Sequence, residues 1–257
     1  IIPLDLFRIR LYRSSAVVAT LSAMGVFGAI SYMPLFLQGV LGMAASRAGM
    51  VLLVLSLAWT VGSLLAGRWI NRWGYRFTAV GGMSLISIGY AIFIAPFSNT
   101  SVIAVVISAS AIGVGMGLAN LTTLVAAQTS VPPQRIGVAT STVMLFRTFG
   151  AAFMVSVMGT VMLGQMQTAL ERIQPGNSRV DSVIWSKLAN PQNLLEPATR
   201  AQIPANLLPS LIASLSRALW FAFLAGFLLM LLGLAMSFLI ANFTPATTPR
   251  PNPGAES

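Results

Sequence analysis

Six apolar stretches, each close to 20 residues or longer, recur along the chain at about 15–37, 48–67, 77–95, 102–126, 137–163 and 218–241. A bilayer core of about 30 Å, crossed at 1.5 Å per residue, needs roughly 20 apolar residues per helix. Each stretch therefore reads as a membrane span. They are apolar nearly all round and show no strand-like alternation, which excludes both an amphipathic soluble bundle and a membrane β-barrel. A helix also satisfies its own backbone polar groups, as lipid demands. The expected fold is all-α, a polytopic membrane bundle of six transmembrane helices. Composition agrees: 56% of residues are hydrophobic and 8% charged, against about 45–50% and 25% in soluble domains.

The net charge is +10, from 15 Lys plus Arg and 5 Asp plus Glu. In a soluble chain this would point to nucleic acid, but here the basic residues stand at the ends of apolar runs, so no nucleic-acid partner is expected. Arg8, Arg10 and Arg13 precede the first span, Arg68, Arg72 and Arg76 follow the second, and Arg135 follows the fourth. The turn after the third span, Pro96 to Thr100, carries no charge, and the turn after the first offers only Arg47. The positive-inside rule then puts both ends of the unit in the cytoplasm, as a multi-pass protein of the plasma (inner) membrane. The layout is residues 1–14 as a cytoplasmic linker, 15–163 as five spans, 164–217 as an extracytoplasmic loop with five prolines, 218–241 as the last span and 242–257 as a disordered Pro/Thr-rich cytoplasmic tail. The chain opens Ile1-Ile2-Pro3, without an initiator Met or a signal-peptide pattern, and reads as a piece of a longer protein.

With 0 Cys and 0 His there is no disulfide framework, no thiolate or imidazole metal site and no His general base, so neither an enzyme nor a metal or organic cofactor is expected. The acids Asp5, Glu171, Asp181, Glu196 and Glu256 all fall outside the six spans.

The segment after the second span, Gly67-Arg68-Trp69-Ile70-Asn71-Arg72-Trp73-Gly74-Tyr75-Arg76, resembles the signature loop of the major facilitator superfamily, Gly-any-Leu-Ala-Asp-Arg-any-Gly-Arg-Lys, in its second copy. Gly67, Arg72, Gly74 and Arg76 match, Arg68 adds charge, and Asn71 stands where the family has Asp, which turns a charge-assisted latch into a neutral hydrogen bond. The run from Pro34 through Gln38 to Gly42 is similar to the Pro-x-x-x-Gln-x-x-x-Gly run of the fourteen-helix drug:proton antiporters. So are Gly113–Thr123, Val131–Ala139 and Arg147-Thr148-Phe149-Gly150-Ala151-Ala152. The resemblance implies the C-terminal half of a multidrug efflux transporter working by proton antiport and alternating access. Its partners would be a small-molecule substrate, protons, the lipid bilayer and a missing N-terminal helical bundle of the same chain, which would hold the proton-coupling carboxylate. A six-span channel or membrane scaffold subunit is the alternative from another class, and an exporter of siderophore, lipid or sugar the alternative within the superfamily.

Arg147 stands in mid-span, where an arginine costs about 2.5–3.5 kcal/mol on insertion scales and faces a bundle interior or a water-filled cavity. By helical spacing its face also carries Thr140, Met144, Ala151 and Met154. With Asn120, Thr123, Tyr32 and Gln38 it forms the expected substrate-cavity set, to which Phe27 and Phe36 would add ring faces for a flat cation. Gly113 and Gly117 read as helix packing, and small-residue faces on the fourth and fifth helices as surfaces left for the absent bundle.

Overall fold

The computed structural model describes residues 4–95, 101–173 and 207–241. After a 3-10 turn at Leu4–Arg8, helix α1 runs Arg10–Leu35 and widens into a π turn at Phe36–Val40. A 50-residue helical stretch follows at Ala45–Ile94, then α4 at Val102–Thr129, α5 at Ile136–Ile173 and α6 at Leu208–Ser237. No strand occurs among the described residues.

A straight 50-residue helix would be about 75 Å long, more than twice the bilayer core. It breaks at one residue, Gly74, at φ 81° and ψ 176°, a region essentially restricted to glycine. The two arms, α2 (45–73) and α3 (75–94), restore six crossings from five long apolar helices. The expected loop from Gly67 to Arg76 is thus helical on both sides of a single-residue break.

Helix α4 fixes the direction of both arms. Gly113 of α4 abuts Leu55 and Ala58, and Gly117 abuts Trp59 and Ser63, so α2 and α4 are parallel. Gly89 abuts Ser108 and Ile112 while Gly82 abuts Gly115 and Ala119, so α3 is antiparallel to α4. These are backbone contacts: a Cβ on Gly82 would stand 2.7 Å from the Ala119 nitrogen and 2.8 Å from the Gly115 oxygen. Lipid gives apolar side chains little reason to leave it, so close approach through small residues is what holds such helices together. The small-residue face of α4 is therefore consumed inside the unit and is not left for a partner.

Helix α1 lies at the centre. The Tyr12 hydroxyl donates to Ala139 O (3.2 Å) and the Tyr32 hydroxyl to Val155 O (2.7 Å), tying α1 to a parallel α5 at two levels. Between them the fully buried Tyr90 of α3 donates to Gly25 O (2.6 Å), its ring flanked by Phe223 and Gly226 of α6.

Three expected boundaries are corrected. The linker 1–14 is partly helical, with α1 starting at Arg10. The loop 164–217 gives up both ends, because α5 continues to Ile173 and α6 begins at Leu208. Buried Met166, Leu170, Leu207, Leu211 and Leu215 extend the core there, beyond the level at which Trp220 Nε1 donates to Ile94 O (3.2 Å) near the end of α3. A hydropathy window detects only the lipid-crossing part of a helix, so this extension was invisible to it. Third, α6 ends at Ser237 and not at residue 241. The rest of that loop and the tail 242–257 lie outside the described residues.

Gly117→Leu forces a side chain against α2 backbone and is expected to cost about 3 kcal/mol, the upper part of the overpacking range. Gly164→Ala, where nothing lies within 4 Å of the added methyl, is expected to be neutral or to gain up to about 1 kcal/mol from helix propensity. Thermal unfolding of the two variants in detergent gives the comparison, and equal melting points would refute the backbone-contact account.

Candidate functional site

The seam between α4 and α5 is held by polar pairs and, near its arginine-rich end, by a small apolar cluster that includes Ala127, Val131, Ala139 and Val143. At its arginine-rich end Asp5 pairs with Arg135, just before α5. Gln128 Nε2 of α4 donates to Thr140 Oγ1 of α5 (3.0 Å), and two turns along α5, where 7 residues rise about 10 Å, Arg147 Nη1 donates to Asn120 Oδ1. The two residues singled out in mid-span on separate helices thus meet. Arg147 Nη1 also faces Met144 Sδ at 3.9 Å.

Arg147 is 9% exposed, and the one ion pair among the described residues is elsewhere. A guanidinium carries five N–H donors in a fixed fork. Among the described residues Nη1 alone has protein partners, and no other Arg147 nitrogen is both sealed away and without one. The arrangement is a fixed cation, steered by an amide oxygen, with free donors for a polar or anionic group. On α5 the exposed Ser141, Thr148 and Ala152 share a face with the exposed Leu145, and on α2 the exposed Gly49, Ser56, Thr60 and Gly67 share one with Leu53 and Leu64.

The other expected cavity residues are placed differently. Thr123 is 1% exposed and its hydroxyl donates back to Ala119 O (2.7 Å), so it faces the packed interior. Tyr32 is half-buried and spends its hydroxyl on Val155 O. Gln38 lies half-buried in the π turn, where Leu41 N–H donates to Phe36 O (3.1 Å). Phe36 is 1% exposed, edge-on to Phe93 at 4.9 Å, and belongs to the core, whereas Phe27 is 40% exposed. Gln128 was missed, since a glutamine near a helix end reads as a boundary marker. Tyr90 was missed because nothing in the sequence sets it apart from an interfacial tyrosine.

In the signature segment Gly67, Arg68, Asn71 and Arg72 are exposed on the last turns of α2. Arg72 stacks over Trp73 (5.8 Å) and Arg76 over Phe238, just past the end of α6 (6.0 Å). Gly74 supplies the backbone break, so of the matched residues it is the one whose identity the local geometry demands.

The model of the Major Facilitator Superfamily matches residues 2–155. The chain belongs to this superfamily. It is a multi-pass membrane protein, and the superfamily is one of transporters, not enzymes. The chain is similar to the multidrug transporter protein MdtP of Bacillus subtilis, 27% identical across 91% of this chain and 46% of that relative. It is also similar to the tetracycline resistance determinant of Streptomyces rimosus, 26% identical across 100% of this chain and 79% of that relative. The drug efflux pump JefA of Mycobacterium tuberculosis is 29% identical over 66% of this chain and 33% of its own length. Among solved structures, a bacterial homologue of the human lysosomal transporter Spinster, inward-facing and unoccupied, superposes with a TM-score of 0.69 at 16% identity, covering 95% of this chain and 52% of that one. The chain thus spans about half the length of the Bacillus relative and of the solved transporter.

Two outcomes test the geometry. Asn120→Leu removes the acceptor of a charged donor and is expected to destabilise the protein by about 1.5–3 kcal/mol in thermal unfolding, with Asn120→Asp restoring or exceeding the parent; an unaffected Asn120→Leu variant would mean that the pair contributes nothing. The Arg135 hydrogen bond holds the Asp5 carboxyl below its ordinary value of 3.8. Because the folded value is the lower one, the tie is fully present above 3.8 and is lost as pH falls through the depressed value. Hydrogen exchange of residues 4–8 is expected to accelerate only below about pH 4 for this reason, and Asp5→Asn to abolish that step.

Proposed function

We propose that this chain is the C-terminal six-helix half of a multidrug exporter that expels small amphipathic compounds by proton antiport. The observation that carries the reading is the meeting of Arg147 and Asn120 across a polar seam, with guanidinium donors left over. A buried, unneutralised cation in a membrane bundle is expensive and marks a substrate or ion pathway. The drug-efflux names of several relatives give the reading its chemical class.

In this account the exposed faces of α2 and α5 that carry these small residues pack against an N-terminal bundle of the same protein, leaving the Arg147–Asn120 seam on a cavity between the halves. Small residues allow the close, sliding contacts that alternating access needs. The arginine-rich end, with Arg10, Arg13, Arg68, Arg72, Arg76 and Arg135, lies in the cytoplasm of the inner membrane. In this account the seam is a cytoplasmic gate, where Asp5–Arg135, Gln128–Thr140 and Asn120–Arg147 part together with the small apolar cluster that holds Ala127, Val131, Ala139 and Val143. A proton-coupled step needs a carboxylate within the membrane. Among the described acids Asp5 is committed to Arg135, and Glu171 stands on the α5 extension. The coupling acid therefore belongs to the N-terminal half, and Arg147 acts on substrate or on that acid as a fixed positive charge.

The test is dye accumulation in cells expressing the full-length protein. Arg147→Ala is expected to lower efflux at least tenfold at unchanged membrane abundance, and Arg147→Lys to recover part of it. Unchanged efflux in Arg147→Ala would remove the residue from the pathway.

A further inference from the structure

On the side of α5 that carries Phe146, Phe149 and Phe153, away from the Ser141, Thr148 and Ala152 face by helical spacing, α5 and α6 part and expose α1 between them. The opening is a crevice of about 360 Å³ lined by Phe7, Val17, Thr20, Phe146, Leu232 and Met236. Its accessible wall is apolar, because the one polar side chain, Thr20, turns its hydroxyl onto Ala16 O (2.8 Å). The Phe7 ring walls it off by packing edge-on against Phe146 (5.6 Å) and Tyr12 (5.4 Å). Through the shared Val17 and Met236 the crevice continues into a second hollow of about 420 Å³, bounded by Arg10, Arg13, Ser14 and Leu239. Both arginines are exposed, and neither forms an ion pair with an acid among the described residues.

The two hollows together make an apolar slot with two cations at its mouth. From Arg10 to Leu21 is 11 residues of α1, about 16 Å, close to half of a roughly 30 Å bilayer core and so to the depth of one leaflet. Exposed Phe149, Phe153, Leu231 and Leu239 nearby give the flank the character of a lipid-facing surface. Guanidinium groups form charge-assisted, bidentate hydrogen bonds to phosphate, and basic pockets beside transmembrane helices on the cytoplasmic side select anionic headgroups. A zwitterionic lipid would bring its own ammonium to the mouth and leave the net positive charge there uncompensated, and a lipophilic cation would be repelled.

We propose that this crevice between α1, α5 and α6 is a binding site for an anionic phospholipid of the cytoplasmic leaflet, with its phosphate between Arg10 and Arg13 and one acyl chain along Val17 and Phe146. The site is separate from the Arg147–Asn120 seam, so a lipid there acts on how α5 and α6 stand against α1 and not on substrate directly.

Native mass spectrometry of the full chain, offered equal phosphatidylglycerol and phosphatidylcholine, tests it. The parent is expected to retain phosphatidylglycerol at least tenfold better, and Arg10→Gln/Arg13→Gln to bring the two lipids to parity, at about fivefold per arginine. Val17→Trp, which fills the slot from a position 39% exposed, is expected to lower retention of both lipids, with thermal unfolding confirming that each variant is folded. Independently of any variant, phosphatidylglycerol carrying a photoreactive group on its acyl chain is expected to label peptides containing Val17, Phe146 or Leu232. Absence of a preference in the parent, an undiminished preference in the double arginine variant, or labelling confined to other helices would each overturn the proposal. So would retention of tetraphenylphosphonium in place of phosphatidylglycerol, which would make the slot a cation site.

Discussion

The bundle depends on backbone meeting backbone around α4. Glycines 113 and 117 on one side and 115 on the other bring α2 and α3 so close that an added Cβ would collide with main-chain atoms. That double contact sets α2 parallel and α3 antiparallel to α4, which in turn makes the fold-back at Gly74 obligatory. The positive φ of Gly74 is thus the local consequence of packing decided tens of residues away. Asn120, seven residues beyond Gly113 on the same side of α4, spends its amide oxygen on Arg147 of α5.

Most polar groups elsewhere in the bundle are neutralised locally, the buried hydroxyls of Ser15 and Thr122 being the exceptions among the described residues. Thr20, Thr78, Ser87 and Thr123 donate to carbonyls of their own helices, and Tyr12, Tyr32, Tyr90, Ser108 and Trp220 donate to carbonyls of neighbouring ones. Such bonds cement packing and leave nothing for a solute. Arg147 departs from that pattern, since its one amide partner takes a fraction of its five donors. The α4–α5 seam around it is built of side-chain contacts, two polar pairs and a small apolar cluster that includes Ala127, Val131, Ala139 and Val143, which separate at lower cost than interlocked backbones. Stability and mobility are in this way assigned to different helix pairs: glycine contacts bind α2, α3 and α4 together, while side-chain contacts join α5 to α4.

Much of this was legible in the sequence because the bilayer imposes so few solutions. Six apolar runs gave six crossings, and Arg147 and Asn120 stood out because their side chains are costly in lipid. That they meet was not legible, since helical spacing places a residue on a face without saying which helix stands opposite. Thr123 and Phe36 show the same limit from the other side: both have the chemistry of a cavity lining, and both turn inward, one onto Ala119 O and the other onto Phe93. The helical extension beyond residue 163 escaped notice because Gln165, Gln167 and Glu171 dilute its hydropathy, while its buried Met166 and Leu170 become visible only once α6 is packed against them. The lipid crevice, built from α1, α5, α6 and the Phe7 turn, has no contiguous sequence signature at all.

The central claim is that the Arg147–Asn120 seam opens on water within a transport cavity. The sequence contains 0 Cys, so single cysteines can be placed without removing any from this chain, in a full-length background free of others. The decisive measurement is the reaction of Cys at Met144 or Thr148, beside Arg147, and at Phe153, on the lipid-facing side, with a membrane-impermeant maleimide. The account predicts rapid labelling at Met144 and Thr148, slowed by a transported compound, and none at Phe153. Equal rates at the three positions, or protection of Met144 and Thr148 in every condition, would contradict it.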